Sequence, residues 1–278
     1  MLIHLAHSPD ADDAFMFYAL AAQKISFRGF QFKHILSDIE TLNKLAFEGK
    51  YEVTALSLHA FAYVMDKYTL LPNGASIGRG YGPIVVAREK IPLESLKDIL
   101  VAVPGKFTTA TLVLNLAIGK HPEIIMNFDE IMEAVASRKV EAGLLIHEGQ
   151  LTHRERGLVK ILDLGEWWEK ETGLPLPLGV DAYRTDLGEK NGRLLAEIFE
   201  ESIRYALAHE DEALDYALQF GRGIEQEKAR QFVRMYVNER TLCFSEAEKK
   251  SIFTLLEEGH RKGFLPFKPD LNKLFAYS

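Results

Sequence analysis

The segment EAGLLIHEGQ, residues 141–150, begins as a buried strand and ends in a histidine and a glutamate. Val140, Ala142, Leu144 and Ile146 lie in a nearly unbroken apolar run. That is the pattern of a parallel strand covered on both faces. Upstream, FDEIMEAVASRK (128–139) has helical spacing and leads straight into it. This helix-to-strand unit has an echo: LNKLAFEGKYEVTAL (42–56) resembles IMEAVASRKVEAGLL (131–145) at an offset of 89 residues. Lys50-Tyr51-Glu52 falls on Lys139-Val140-Glu141. Generic helix-to-strand grammar and true duplication both account for the echo. Under duplication, Ser57 and His147 end corresponding strands, one position out of step, and two α/β lobes meet at a cleft.

The chain up to about residue 185 alternates short apolar runs with helical patterns. LIHLA (2–6), FKHIL (32–36), EVTAL (52–56), GPIVVAR (82–88) and ILVAVPG (99–105) read as strands. LVKILDLGEWW (158–168) and LPLGVDAYR (176–184) are further strand candidates. DAFMFYALAA (13–22), SLHAFAYVMDKY (57–68) and TTATLVLNLAIG (108–119) read as helices. Ser37 and Glu40 fit a capping box for the helix before Gly49. From about residue 189 only the 3.6-residue period remains. Such alternation predicts an α/β fold with mainly parallel sheets, onto which a terminal block of helices packs.

A net charge of −7 with no long basic run argues against nucleic acid or an anionic membrane as the main partner. Cys243 is the only cysteine, so no internal disulfide forms. No stretch approaches the ~20 apolar residues that span a bilayer, so no membrane insertion is expected. MLIHLAHSPDADD lacks the features of a secretory leader, and a cytoplasmic location is expected. Oligomeric state is not read from the sequence.

In open parallel sheets, ligands bind beyond the carboxyl ends of strands. Four such ends carry polar groups: HSPDADD (7–13), Ser57, PGKFTT (104–109) and His147-Glu148. Thr108 and Thr109 open a helix, whose first amides and two hydroxyls suit a carboxylate or phosphate; plain N-capping is the other reading. Ser57 has the same two readings. Asp10, Asp12 and Asp13 read mainly as N-cap chemistry, with ligand contact as the alternative. His147, at a strand's end, suits a general base, because an imidazole titrates near pH ~6.5. A hydrogen-bonded structural histidine is the competing reading. Glu148 either orients that imidazole or faces solvent. No metal site is expected: His153 follows His147 at the wrong spacing, and no cysteine set exists. No cofactor signature occurs; GRGYG (78–82) lacks the dinucleotide spacing.

The stretches HSPDADDAFMFYAL, ETLNKLAFEGKYEVTALS, GRGYGPIVVAR, VAVPGKFTTA, EAGLLIHEGQLT, DLGEWWEKETGLPLPLG and YVNERT occur in that order. Together they resemble the 1,4-dihydroxy-6-naphthoate synthases of the futalosine route to menaquinone, over nearly the whole chain. The resemblance implies a type II periplasmic-binding-protein-like fold: two α/β lobes with a ligand cleft between them. Residues 1–88 plus 185–278 would form one lobe, and 89–184 the inserted other. It implies a lyase that cleaves cyclic dehypoxanthinyl futalosine, a small carboxylated substrate, at a carbon–carbon bond. The products would be the naphthoate and a sugar-derived fragment, formed without metal or cofactor. His147 would be the general base, Ala55, Leu56 and Ser57 would bind substrate on the first lobe, and Thr108 and Thr109 would hold the carboxylate on the second. Many relatives carry Cys-Pro-Asn-Asp at positions 10–13 and a lysine at position 55, where this chain has Asp-Ala-Asp-Asp and Ala55. Two alternatives share the fold: a solute-binding protein without catalysis, and the sister chorismate dehydratase.

Overall fold

The computed structural model describes residues 1–220, 223–270 and 274. The first half supplies β1 (Leu2–His7), α1 (Ala11–Met16), α2 (Tyr18–Ala21), β2 (Gln31–Leu36), α3 (Ile39–Phe47), β3 (Val53–Ser57), α4 (Leu58–Phe61), β4 (Tyr68–Leu70), β5 (Ser76–Gly78) and β6 (Ile84–Ala87). Then come β7 (Val101–Val103), α5 (Thr109–Ile118), β8 (Glu123–Ile125), α6 (Ile131–Ala136), β9 (Ala142–Leu145), α7 (Gly149–Thr152), β10 (Val159–Asp163), α8 (Leu164–Thr172) and β11 (Leu176–Arg184). Helices α9 (Glu189–Ala208), α10 (Glu210–Ala217), α11 (Gln226–Tyr236), α12 (Glu239–Leu242) and α13 (Glu246–Arg261) follow.

Two sheets result. The first runs β2-β1-β3-β11-β4, with β5 also on β11; the second runs β10-β6-β9-β7-β8. They share one plan. In each, a central strand (β1 or β7) has parallel neighbours on both sides, and one of these (β3 or β9) meets an antiparallel strand, β11 or β6. The two segments of the sequence echo, α3–β3 and α6–β9, occupy equivalent places in the two sheets.

The sheets are mixed rather than mainly parallel. Among the described residues four strand pairings are parallel and five antiparallel. The antiparallel share comes from the strands next to the two crossings, which return against the βα direction. The boundaries expected at 88/89 and 184/185 fall at the ends of β6 and β11. Ile84–Ala87 pairs with β9 and β10 in the second sheet, and Leu176–Arg184 with β3, β4 and β5 in the first. The chain therefore passes between sheets at 79–83 and 164–175. Nothing in the apolar pattern of either strand says which sheet its backbone joins.

Local signals correct three expectations. Asp38, not Ser37, caps α3, accepting the Thr41 N–H, and no capping box forms. The helix expected over 57–68 stops at Phe61, and Tyr68 starts a strand. Residues 158–168 split at Asp163, whose carboxylate caps α8 by accepting the Gly165 and Glu166 amides.

One buried apolar cluster spans both lobes and includes Leu56, Leu112, Trp168 and Val180. Trp168 is almost fully buried, a gain of about 4–6 kcal/mol at ~25 cal/mol per Å². Its indole N–H donates to Ser251 Oγ at 3.1 Å, and Lys262 Nζ donates to the Leu116 carbonyl at 3.0 Å. Helix α13 is thereby fastened to the second lobe. Helices α9, α10 and α11 pack on the first lobe around Phe17, Phe199 and Phe232. Among the described residues no helix is long and apolar enough to cross a membrane, and no cluster of three His, Cys, Asp or Glu could hold a metal.

Candidate active site

The carboxyl ends of β1, β3 and β7 open onto one cavity of about 110 Å³ between the sheets. The first lobe contributes Ser8, Asp10, Asp12 and Asp13 after β1, and Ala55–Ser57 at the end of β3. The second contributes Thr108–Ala110 at the start of α5, and Ile146 after β9. Strand β11 forms a side wall through Leu178–Asp181. Residues 55, 56, 57, 108 and 109, singled out from sequence, are thus brought together on facing walls.

Ser57 does not cap α4 through its side chain. Asn43 Oδ1 accepts the Ser57 N–H at 2.9 Å, and Asn43 Nδ2 donates to Ser57 Oγ at 3.1 Å. The serine oxygen is held as an acceptor, which leaves its hydrogen to donate into the cavity. Thr108 does cap: its side chain accepts the Thr111 N–H and donates to the Gly105 carbonyl at 3.1 Å. Thr109 joins the lobes, donating to the Leu178 carbonyl at 2.6 Å and accepting the His59 N–H at 3.2 Å. The amides of Thr109 and Ala110 precede the first intrahelical acceptor, and both residues lie at the cavity wall.

Asp10 occupies the N-cap position of α1 without a side-chain capping bond, and instead accepts the Ser8 hydroxyl at 2.7 Å. Asp13 Oδ2 accepts the Ser8 N–H at 2.7 Å. Burial pushes the Asp12 carboxyl well above the usual range, and the fields of Asp13, Asp10 and Glu148 add to this. Burial also raises Asp13, with Asp181 and Asp10 contributing. Among the described residues no lysine, arginine or histidine lines the cavity. An anionic ligand is compatible with this wall because burial drives Asp12, Asp13 and Asp181 toward the uncharged form.

His147 is buried, 5% exposed. Its Nδ1 accepts the Gly149 N–H at 2.7 Å, and its Nε2 lies 3.1 Å from the Phe128 carbonyl. Those partners assign the neutral tautomer with the proton on Nε2, donated to Phe128 O. The cavity wall takes Ile146 from this segment, not His147. Glu148 turns to the other lobe, where Oε1 accepts the Ala11 N–H at 3.3 Å.

A family model described as menaquinone biosynthesis matches residues 3–261. The 1,4-dihydroxy-6-naphthoate synthase of Thermus thermophilus is 41% identical over 267 residues, covering 96% of this chain and 97% of that protein. The chain belongs to the menaquinone-biosynthesis family. The crystal structure of protein AF1704 from Archaeoglobus fulgidus superposes with a TM-score of 0.92 at 45% identity, covering 95% of this chain and 98% of that one. The alkanesulfonate-binding protein SsuA from Xanthomonas axonopodis pv. citri shares the fold, with a TM-score of 0.74 at 8% identity over 96% of this chain and 95% of that one. The two-lobed periplasmic-binding-protein-like architecture expected from the sequence is therefore the fold of this family member.

Three residues in or beside the cavity escaped sequence reading. Asn43 sits mid-helix and positions Ser57. His59, whose imidazole burial holds down at about 4, reaches the Thr108 carbonyl at 3.3 Å. Asp181 lies within a strand. Only Asp181 carried a signal, a lone acid inside an otherwise apolar run.

Proposed function

We propose that the cleft binds cyclic dehypoxanthinyl futalosine and cleaves it to 1,4-dihydroxy-6-naphthoate and a sugar-derived fragment, as a cytosolic carbon–carbon lyase. The carrying observation is the convergence of Ala55–Ser57 and Thr108–Thr109 on one inter-lobe cavity, in a chain 41% identical to a naphthoate synthase. The substrate carboxylate sits at the first turn of α5, taking its amides and the Ser57 hydroxyl as donors. Thr108 and Thr109 act as posts: one shapes that turn, and the other ties it to β11. Ala55 and Leu56 supply the apolar contact for the bicyclic ring.

His147 serves as general base. At rest its Nδ1 lone pair is taken by Gly149, so rotation of the ring must release it. Rotation gives up the bonds of both ring nitrogens, each on the order of 1–3 kcal/mol when left unpaired, beside the ~10²–10⁴-fold, about 3–5 kcal/mol, that a positioned base contributes. Product aromaticity supplies the driving force. A cavity of about 110 Å³ is below the ~300–1,000 Å³ of ordinary ligand pockets, so the lobes part about residues 79–83 and 164–175 to admit substrate. Residues on the first and second sheets act as the two lobes of that motion.

One observation favours a second reading, a binder without catalysis: both nitrogens of the His147 ring are engaged and the ring is off the cavity wall. Incubating the purified protein with the cyclic substrate separates the two. Formation of the naphthoate by mass and absorbance supports the lyase, whereas tight binding without product supports the binder.

A further inference from the structure

We infer that the Asp181 carboxyl is a further substrate-touching group of this cleft, hydrogen-bonding an oxygen of the bound molecule through the carboxyl oxygen that no protein group satisfies. The inference rests on the reading that the cleft turns over the cyclic substrate.

Asp181 lies on β11 directly opposite Ala55 of β3, and both line the cavity. Its exposure is 1%, and Oδ2 has no hydrogen-bond partner among the described residues. A buried polar group left unpaired costs roughly 1–3 kcal/mol. The surroundings withhold a partner. Ala55 offers a methyl, and the backbone of Gly74 packs so closely that a Cβ there would stand 2.1 Å from Oδ2. The site is thus built around this carboxyl without satisfying it; Oδ2 is closed off beside Gly74, and the parting of the lobes that admits substrate is the step that would bring it against the bound molecule.

The chemistry sets the direction of that bond. Burial raises the Asp181 carboxyl well above the usual range. The titratable groups it meets across the cavity are Asp13, Asp10, Asp12 and Tyr236, none of them cationic. A carboxylic acid held uncharged in this way donates through its O–H. When a base withdraws a proton from carbon, negative charge gathers on a neighbouring substrate oxygen, and a fixed donor there stabilises the transition state more than the ground state. No proton needs to leave Asp181 for this, so the step stays balanced with the base alone.

The test compares Asp181→Ala and Asp181→Asn with the unaltered protein, using the cyclic substrate for turnover and 1,4-dihydroxy-6-naphthoate for binding. Asp181→Ala is expected to lower kcat by about 100-fold with KM within about threefold, the size of effect seen when one oxyanion donor is lost. Asp181→Asn keeps an N–H donor and is expected to retain at least about a tenth of kcat. Neither variant removes a protein hydrogen bond, so neither should lower Tm. An alanine variant within about threefold of wild-type kcat overturns the inference and leaves the functional reading intact. Should the alanine variant not fold, an asparagine variant below about a hundredth of wild-type kcat overturns it. Unaltered protein that binds but makes no naphthoate overturns the functional reading, and the inference with it.

Discussion

The Glu40 carboxylate of the first lobe accepts the Phe107 N–H of the second at 3.0 Å, and the neighbouring Lys106 N–H at 3.1 Å. The sequence suggests a capping role for this glutamate within its own helix. The structure sends it across the interface to hold the loop that leads into α5. Gly105 makes room: a Cβ there would lie 2.3 Å from Glu40 Oε2.

This latch predicts coupled variants. Glu40→Ala leaves two inter-lobe amides unpaired, and Gly105→Ala displaces the carboxylate that serves them. Each should lower Tm and weaken naphthoate binding by about tenfold, the scale of one charge-assisted bond. The double variant should be little worse than Glu40→Ala alone, because both changes break one contact. Calorimetry and titration with the naphthoate check this; additive losses would show that Gly105 acts elsewhere.

Ser57 and Thr108 should differ in their effect on binding. Ser57→Ala removes a donor aimed at the ligand and should weaken naphthoate binding by roughly tenfold, and it also leaves the buried Asn43 Nδ2 unpaired, at about 1–3 kcal/mol of stability. Thr108→Val removes a helix cap and should cost about 1 kcal/mol of stability, with Thr108→Ser restoring it. Denaturant melts and affinity titrations on the same preparations distinguish the two effects. Unchanged naphthoate affinity in Ser57→Ala would contradict the assignment.

Acid should destabilise the fold through two buried imidazoles. Burial holds His59 down at about 4, and burial with the field of His34 holds His7 at about 3, against ~6.5 in an unfolded chain. The folded state binds fewer protons than the unfolded one in that window. The contribution is therefore complete above pH ~6.5 and is lost as pH falls toward these lower values. The raised carboxyls of Asp12, Asp13 and Asp181 act oppositely: their contribution is complete below ~3.9 and is lost as pH rises. Comparing wild type with His59→Gln between pH 7 and 4.5 isolates one imidazole. The variant should lose less Tm across that interval, and parallel curves would exclude His59 as a source.

Much of the fold was legible because periodicity reports burial. LPLGVDAYR becomes β11 with its expected limits, and AGLL within EAGLLI becomes β9. The repeated plan of the sheets was visible in the echo of Lys50-Tyr51-Glu52 and Lys139-Val140-Glu141. What periodicity does not carry is partnership. Ile84–Ala87 and Leu176–Arg184 read as strands, yet only long-range pairing decides which sheet each joins. The same holds at the cavity: Ser57, Thr108 and Thr109 stand at strand or helix ends, which local sequence marks. Asn43 and Glu40 act through contacts distant in sequence, which no local pattern announces, and Asp181 showed only as a lone acid in an apolar run.

The most direct measurement is the single-turnover rate of His147→Asn beside wild type on the cyclic futalosine substrate, with naphthoate affinity measured in parallel. The account predicts a rate loss of at least ~10²-fold with affinity nearly unchanged. A variant keeping more than about a tenth of the wild-type rate would contradict it, since a positioned base contributes more than that.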